Sequence, residues 1–410
     1  MWFPAAASFG GMLRTSFSAI AAVIAVLTVA HFVFRPPSLN GRTVTQAVQA
    51  SDATPLGRLA LSGPSNQDEQ SGVLPLLDGP DAFVARIALI RAARVAIDVQ
   101  YYIWQRDATG LILLDELRKA AERGVRVRLL LDDNGISRLD ADLAALDTLP
   151  GVEVRLFNPF ILRTMKPLGY AFDFVRLNRR MHNKSLTADG AVSILGGRNI
   201  GDVYFGFGTG IQFIDTDVMV TGAVAGAIGS DFDRYWASRS SHPLERLVAG
   251  SSPDALQNLA REVDAAAKSH EGKLYAERLK NSTLDGRLAS GQLAFEWTRV
   301  SLVSDDPAKG LGQTEEKDLL FPQLMSLLSQ PSRSIDLVSA YFVPGRQFTM
   351  RLEELARRGI RVRILTNSAL VHGSFSGRDV CEQRSQYPVC LNHAFQTQCR
   401  APSSHREDAI

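Results

Sequence analysis

Residues 95–133 read VAIDVQYYIWQRDATGLILLDELRKAAERGVRVRLLLDD, and this stretch decides the fold of the chain. VAIDVQYYIW (95–104) is rich in β-branched and aromatic residues, as a buried strand is. LILLDELRKAAERG (111–124) predicts a helix that stops at Gly124. VRVRLLLDD (125–133) predicts the next strand. Strand, helix and strand with continuous apolar runs predict a parallel sheet that is covered on both faces.

A similar pattern recurs near residues 327–368, as LLSQPSRSIDLVSAYFV followed by LEELARRGIRVRILTNS. The two stretches align at three anchors: Ile97-Asp98 with Ile335-Asp336, Tyr102 with Tyr341, and residues 124–128 with 359–363. All strand–helix–strand units look alike, so a chance match is the alternative. The shared polar positions favour duplication. We therefore predict two related α/β halves, the second beginning near residue 300.

Composition limits the class of protein. A chain of 410 residues is long enough for two ordinary domains, and 45% hydrophobic with 21% charged residues is typical of a globular protein. The net charge of +2 excludes a polyelectrolyte that coats nucleic acid, so any attraction to phosphate must come from local clusters. Cys381, Cys390 and Cys399 all follow residue 380, which excludes a disulfide scaffold for the main body.

The N-terminus contains FSAIAAVIAVLTVAHFVF (17–34), which is long enough to cross a bilayer core of about 30 Å. A cleaved signal peptide is the competing interpretation, but HFVFRPP is a poor cleavage site. We predict a membrane anchor over residues 1–35. Residues 36–75 are rich in Pro, Ser, Gly and Gln and predict a linker. Order is expected from Leu76, with Asp81 capping a helix over 82–93.

The chemistry is concentrated in MHNKSLTADG (181–190) and GGRN (196–199). Alternation around residues 181–186 predicts a strand with His182 and Lys184 on one face. AVSILGG (191–197) predicts a second strand that returns beside it. The two glycines are expected to let a phosphate approach the backbone, and Asn199 can donate an amide N–H to it.

These residues resemble the phospholipase D superfamily, whose mark is His-x-Lys, four residues, Asp, and then Gly-Gly or Gly-Ser with Asn. The matching positions are His182, Lys184, Asp189, Gly196, Gly197 and Asn199. Within this superfamily, the chain resembles the bacterial cardiolipin synthase-like branch most, through DVQYYIW (98–104), RVRLLLDDNG (126–135), VRLFNPF (154–160), RLNRRMHNKS (176–185) and GGRNIGDVYFG (196–206). The similarity covers roughly residues 75–368.

The resemblance implies an α/β fold, a duplicated α-β-α sandwich with an incomplete second repeat, preceded by a transmembrane helix. The boundaries expected are a first domain over 76–240, a connecting helical region over 241–299, a partial second domain over 300–368 and an atypical tail over 369–410. The location expected is a bacterial inner membrane.

The resemblance also implies a mechanism without metal or cofactor. His182 would attack the phosphodiester and form a phosphohistidine, Lys184 would neutralise a phosphate oxygen, and Asp189 would orient the site. The second proton donor of the family is the histidine of the other repeat. Arg179 and Arg180, with Arg176, either help to hold lipid phosphate or form an exposed basic face.

Two further features lie near the motif: an apolar and basic segment before it and a pair of aspartates after it. The segment 158–181 mixes large apolar side chains with cations, as an interfacial element does, or it packs over the site. Asp215 and Asp217 are expected to be strand residues with structural partners.

A second His-x-Lys is missing from the sequence. The repeat spacing places it near position 417, and His372, His393 and His405 have no lysine two residues later. The cysteine spacing in this region fits no usual zinc site. Three hypotheses follow: an enzyme acting on phosphatidylglycerol or phosphatidylethanolamine that pairs as a homodimer to complete its site, an inactive or lipid-binding remnant, or a nuclease. The anchor and the near-neutral charge disfavour nucleic acid as a partner.

Overall fold

The computed structural model describes residues 7–63, 70–207, 212–213, 215–252, 254–290, 292–339, 342–366 and 391–392. In this part the chain forms a large mixed sheet and a smaller parallel one. Tyr341, the three cysteines and the last three histidines lie outside the described residues, so the predictions made on them stay predictions.

The large sheet has nine strands among the described residues, in the order β8-β4-β3-β2-β5-β6-β7-β1-β9. They are β1 (Ser71–Leu76), β2 (Ala96–Trp104), β3 (Arg126–Ile136), β4 (Val152–Phe157), β5 (Ser185–Ala188), β6 (Val192–Gly196), β7 (Asp217–Gly222), β8 (Ser241–Pro243) and β9 (Glu296–Thr298). Strands β2, β3 and β4 are parallel, as predicted, whereas the other neighbouring pairs are antiparallel. The sheet is therefore mixed rather than parallel throughout.

Helices cover both faces of this sheet. Those up to the end of the first half are α1 (Ala7–Val33), α2 (Pro55–Leu61), α3 (Gly79–Ala92), α4 (Ala108–Glu122), α5 (Asp140–Leu146), α6 (Lys166–Leu177), α7 (Asp202–Phe205) and α8 (Ala223–Ala237). In β3, Leu129 and Leu131 join the core under α3 and α4, while Leu130 packs with Phe232 and Trp236 of α8. This alternation along one strand makes the α-β-α sandwich.

Three further helices, α9 (Ala255–Lys268), α10 (His270–Asn281) and α11 (Leu284–Ala289), lie between β8 and β9 in sequence and pack on α3 and α4. The smaller sheet is formed by β10 (Ser334–Val338), β11 (Arg361–Leu365) and β12 (Leu391–Asn392), with α12 (Leu320–Leu327) and α13 (Gly345–Arg357). The predicted connecting region 241–299 thus contains three helices, but its two ends, β8 and β9, belong to the large sheet.

The same Asp–Arg ion pair occurs in both of the stretches that align in sequence. Asp98 of β2 faces Arg128 of β3 across a parallel ladder, and the two side chains form a bidentate pair at 2.7 and 2.9 Å. Asp336 of β10 faces Arg363 of β11 in the same register, with a bidentate pair at 2.5 and 2.7 Å. The anchors that align in sequence therefore occupy equivalent places in two strand pairs. The first pair is buried and the second is exposed.

The linker prediction for residues 36–75 is wrong for the parts that carry α2 and β1. Strand β1 pairs with β7 and β9 inside the large sheet. Arg42 donates to the carbonyls of Ser238 and Ser241 at 2.7 and 2.8 Å, so the chain before α2 is also bound to the domain. The expected cap at Asp81 is wrong as well, because Asp78 accepts the N–H of Asp81 and begins α3 three residues earlier.

Helix α1 is long and apolar enough to cross a membrane over Ser16–Val33, with a mean hydropathy of 2.2, and none of this window is buried against the rest of the chain. An apolar helix that finds no protein cover meets the length and composition of a bilayer span. The helix ends at Val33, next to Arg35, whose guanidinium lies 4.2 Å from the centre of the Phe32 ring.

Candidate active site

His182 and Lys184 lie on the segment between α6 and β5, immediately before the strand begins at Ser185. Residues 181–184 are not part of the strand, so the observed strand begins later than the sequence predicts. Both side chains nevertheless line one cavity of 360 Å³. Its other walls come from β2, β6, α8 and the segment 302–309.

The His182 imidazole is stacked on Tyr102, with ring centroids 4.0 Å apart and an interplanar angle of 31°. Its outer side is exposed to solvent. Crowding by protein atoms, together with the nearby charges of Lys184 and Lys309, lowers the pKa of His182 to about 4. The ring is therefore neutral at ordinary pH and keeps a lone pair for attack, as a nucleophile requires.

The Lys184 ammonium donates to the carbonyl oxygen of His182 at 2.6 Å and lies 5.5 Å from the centre of the Tyr102 ring. Burial lowers the pKa of Lys184 to about 8, and the charges of Asp215, Asp217 and Asp132 oppose this shift. None of these carboxylates forms an ion pair with Lys184 in the described part of the chain. Two of its three N–H donors are therefore available for an anion.

Gly196 ends β6 and Gly197 follows it. A Cβ on Gly197 would collide with the carboxyl group of Asp215, and a Cβ on Gly196 would collide with Asp217. The protein's own carboxylates occupy the side of these glycines where a Cβ would lie, and Gly196 also lines the cavity beside His182, so the prediction that the two glycines make room for a phosphate stays a prediction. Asn199 accepts the N–H of Ile103 at 3.0 Å through its carboxamide oxygen, so its amide group is the part left to donate.

Asp189 lies at the opposite end of β5 from His182. The four strand residues between them alone span roughly 13 Å. Its carboxylate is buried and accepts backbone N–H groups of Arg94, Val95 and Ala96 at 2.8–3.1 Å. The structure therefore does not bring Asp189 into the cavity; it ties the end of α3 to the start of β2.

The arginines of the segment before His182 differ in their surroundings. Arg180 is buried, and its guanidinium donates to Asp132 at 3.1 Å and to the carbonyl oxygen of Asn158 at 2.5 Å. Arg176 is bound to Asp173 and to the carbonyl oxygen of Pro159. Both donate inside the protein, so the interpretation of Arg176 and Arg180 as an exposed basic face is wrong. Arg179 is half-buried, with its guanidinium against Gly312.

Asp215 and Asp217 are predicted as structural residues. Asp217 begins β7 and forms buried ion pairs with Arg86 at 2.9 Å and Arg198 at 3.4 Å. Asp215 precedes the strand and accepts the N–H of Thr216 at 2.8 Å. Burial raises the pKa of Asp215, and the charge of Asp217 raises it further. Among the described residues, no cluster of His, Cys, Asp or Glu is placed to hold a metal ion.

A second wall of the site, the loop 304–312, is not predicted from the sequence. Asp306 caps its 3-10 turn, Pro307–Leu311, by accepting the N–H of Ala308 at 2.7 Å. The Tyr235 hydroxyl donates to the carbonyl oxygen of Asp305 at 3.0 Å, which fixes the loop on α8.

Lys309 of this loop lines the cavity together with His182 and forms an ion pair with Asp305. The sequence SDDPAKG (304–310) shows a turn and a helix cap, but nothing in it indicates contact with a histidine so far back in the chain. Tyr102 is also missed as a site residue. It is noted only as a repeat anchor, although its ring lies against His182.

Comparison with known proteins places this geometry in a family. Residues 87–236 match the family described as "Cardiolipin synthase, PLD-like domain". Cardiolipin synthase C of Escherichia coli (strain K12) is 44% identical over 321 residues, which cover 76% of this chain and 67% of that protein. An uncharacterized protein of Helicobacter pylori is 34% identical over 328 residues, covering 77% of this chain and 63% of that protein.

The chain belongs to the phospholipase D superfamily, as the sequence predicts. Within the superfamily it belongs to the cardiolipin synthase-like branch. It spans about two thirds of the length of the curated relatives it matches. Among solved structures, the phosphatidylserine synthase of Haemophilus influenzae Rd KW20 is similar with a TM-score of 0.43 and 16% identity, over 77% of this chain and 66% of that one.

Proposed function

We propose that this chain transfers phosphatidyl groups between phospholipids at a membrane, with cardiolipin as the product and His182 as the carrier of the group. The observation that supports the proposal is the cavity shared by His182 and Lys184. A neutral, accessible imidazole lies there beside an ammonium with free donors. An ammonium in a desolvated site is the strongest local stabiliser of a phosphoryl anion that a side chain offers without a metal.

The reaction has two balanced steps. In the first, a lone pair of the His182 imidazole attacks the phosphorus of phosphatidylglycerol or phosphatidylethanolamine; the N–P bond forms, and the P–O bond to glycerol or ethanolamine breaks. The departing alkoxide takes a proton from a donor. In the second, a hydroxyl of phosphatidylglycerol attacks the phosphorus, the N–P bond breaks, and the hydroxyl proton returns to the same group.

Residues in and near the cavity take distinct roles in these steps. Lys184 binds a non-bridging phosphate oxygen, and Lys309, which lines the same cavity, adds a second positive charge. For Asn199, which is buried and does not line the cavity, donation of an amide N–H to the same phosphate stays a prediction. Tyr102 holds the imidazole by stacking, which limits the rotation of the ring about its own side chain. Asp189 positions β5 and touches no reacting atom.

The proton donor for the departing alcohol has two candidate sources. One is a histidine of the same chain beyond residue 366, where none of the three histidines is followed by lysine two residues later. The other is His182 of a second copy of the chain in a homodimer. A fixed amount of parent chain mixed with an excess of His182→Ala chain separates the two, because a shared site then loses activity and a site within one chain does not.

The proposal is tested with the full chain reconstituted in vesicles that contain radiolabelled phosphatidylglycerol. Cardiolipin and glycerol are the expected products, and a quench with denaturing detergent at neutral pH should trap a covalent phosphorus label that is lost on later treatment with acid, as a phosphohistidine is. His182→Gln should abolish both signals. Exposed His270→Gln, on α10, is the matched control and should abolish neither. A parent chain that binds the lipid but never forms the labelled intermediate would overturn the proposal.

A further inference from the structure

Helix α6 and the residue before it expose four large apolar side chains. Met165, Leu168, Phe174 and Val175 are 53%, 50%, 57% and 66% exposed. Met165 lies just before the helix, Leu168 lies in its first part, and Phe174 and Val175 follow a kink at Asp173, where φ is −140° and ψ is 35°. A soluble domain buries side chains of this size or leaves them scattered, and four of them exposed between residues 165 and 175 mark a surface that something else covers.

The cations of this segment do not share that surface. Lys166 donates to Asp133 at 2.9 Å and to the carbonyl oxygen of Ile136 at 3.0 Å. Arg163 is bound to Asp133 and Asp140, and Arg176 is turned onto Asp173 as described above. The charged groups are therefore directed into the protein, and the outward face is apolar. Such a face fits a hydrocarbon environment better than an anionic protein or a nucleic acid.

The position of α6 beside α1 indicates what covers this face. The Phe34 and Phe172 rings are stacked with centroids 5.3 Å apart, and His31 Nδ1 lies 3.1 Å from the carbonyl oxygen of Phe172. Both residues of the N-terminal segment lie at the end of the apolar window Ser16–Val33. The apolar side of α6 is thus at the level where the candidate span leaves the bilayer.

The joint between span and domain is held in place rather than loose. Beyond the Arg42 contacts, the Thr43 hydroxyl donates to Glu153 at 2.7 Å and the N–H of Ala47 donates to Asp233 at 2.9 Å. A tether fixed at several points keeps one side of the domain towards the membrane, because rotation about it would break these hydrogen bonds.

We propose that α6 is an interfacial helix whose face of Met165, Leu168, Phe174 and Val175 lies in the bilayer surface beside the exit of α1. This orientation has a consequence for the site. The Tyr170 hydroxyl donates to Asn134 at 3.1 Å. Asn134 and Tyr102 line the same surface hollow, and Tyr102 carries the His182 ring. Tyr170, Asn134 and Tyr102 thus connect α6 to the imidazole, and a helix that lies in the bilayer surface brings this side of the site towards the lipid headgroups.

The test places a tryptophan in the face and asks what surrounds it. Full chains with Phe174→Trp or Met350→Trp are reconstituted in phosphatidylcholine vesicles, with and without acyl chains brominated near the headgroup. Met350 is 54% exposed on α13 and is the matched control. We expect brominated lipid to quench the added emission of Phe174→Trp by about half and to leave that of Met350→Trp unchanged.

Equal quenching of the two variants, or none, would overturn the proposal. A blue-shifted Phe174→Trp emission that brominated lipid does not quench would also overturn it, because a second copy of the chain would then cover the face. This readout needs no catalysis, so it holds whether or not the proposed function does. If the chain is active, Leu168→Gln with Phe174→Gln should reduce turnover of bilayer lipid about tenfold and spare a soluble short-chain phosphatidylglycerol.

Discussion

Replacement of Asp189 by asparagine should lower stability and leave the chemistry of the surviving folded protein intact. Three backbone N–H groups converge on this carboxylate at 2.8–3.1 Å, in a place that is 2% exposed. Oδ1 serves all three donors, and Oδ2 also accepts from Arg94. The carboxylate therefore stabilises the turn between α3 and β2 by accepting hydrogen bonds from its backbone. It lies at the wrong end of β5 to reach a phosphate beside His182.

The size of the effect follows from these contacts. Hydrogen bonds to a charged acceptor contribute about 1.5–3 kcal/mol each, against about 0.5–1.5 kcal/mol for a neutral one. Asparagine keeps one acceptor oxygen without the charge, which costs about 1 kcal/mol for each of two hydrogen bonds. Its NH₂ group would replace the Oδ2 that also accepts from the Arg94 N–H, which weakens this third hydrogen bond by about 1–2 kcal/mol. The sum of about 3–4 kcal/mol lowers Tm by about 6–16 °C.

The assay is tryptophan fluorescence during thermal unfolding, run beside phosphohistidine labelling at a temperature where Asp189→Asn is folded. Asp264→Asn is the control, since Asp264 is exposed on α9 and is expected to change neither quantity. The reasoning is refuted by an Asp189→Asn chain that melts with the parent but fails to label His182. That result would make the carboxylate a participant in the reaction.

Three further predictions concern charges in and beyond the cavity. Labelling of His182 should be constant near neutral pH and should fall as pH rises through about 8. Burial lowers the pKa of Lys184 to about 8, so this side chain then loses its proton. A rapid-quench pH profile checks this, and Lys184→Arg should move the fall to higher pH. Lys309→Met should slow labelling about tenfold, whereas Lys317→Met, at an exposed lysine of the same segment, should not. Asp98→Asn should destabilise the chain by about 3 kcal/mol in urea unfolding, because it leaves buried Arg128 without its main partner, and Asp336→Asn at the exposed repeat of that pair should change the midpoint little.

The sequence predicts those parts of the fold that depend on local pattern. Residues 95–133 form a strand, a helix and a strand close to the expected bounds, since their apolar spacing and the stop at Gly124 act over a few residues. The spacing from His182 to Lys184 likewise places two side chains in one cavity. One of the anchors behind the predicted duplication is found in both strand pairs, because Asp98 and Asp336 each face an arginine at the same register.

What the sequence does not predict depends on contacts between distant residues. Residues 36–63 have the composition of a linker, yet their carbonyl groups accept hydrogen bonds from buried arginines. Arg128 donates to the carbonyl oxygen of Thr45 at 3.0 Å, and Arg155 donates to that of Thr43 at 2.7 Å. Backbone acceptors carry no sequence signature, so a segment held by them resembles a free one. Lys309 reaches the cavity in the same way, through a loop that hydrogen bonds of its backbone fix to α8.

The glycines of the motif gain a physical role once the carboxylates behind them are known. Without side chains at 196 and 197, Asp215 and Asp217 pack directly against the end of β6. There their charge acts on Lys184 and opposes the loss of its proton that burial favours. Both carboxylates already have other partners: Asp217 forms an ion pair with Arg86, and Asp215 accepts the N–H of Thr216. They therefore keep the ammonium charged without forming an ion pair with it, and its donors remain available for a phosphate. The two glycines therefore make space for the carboxylates of Asp215 and Asp217, which keep the phosphate-binding Lys184 in its charged form.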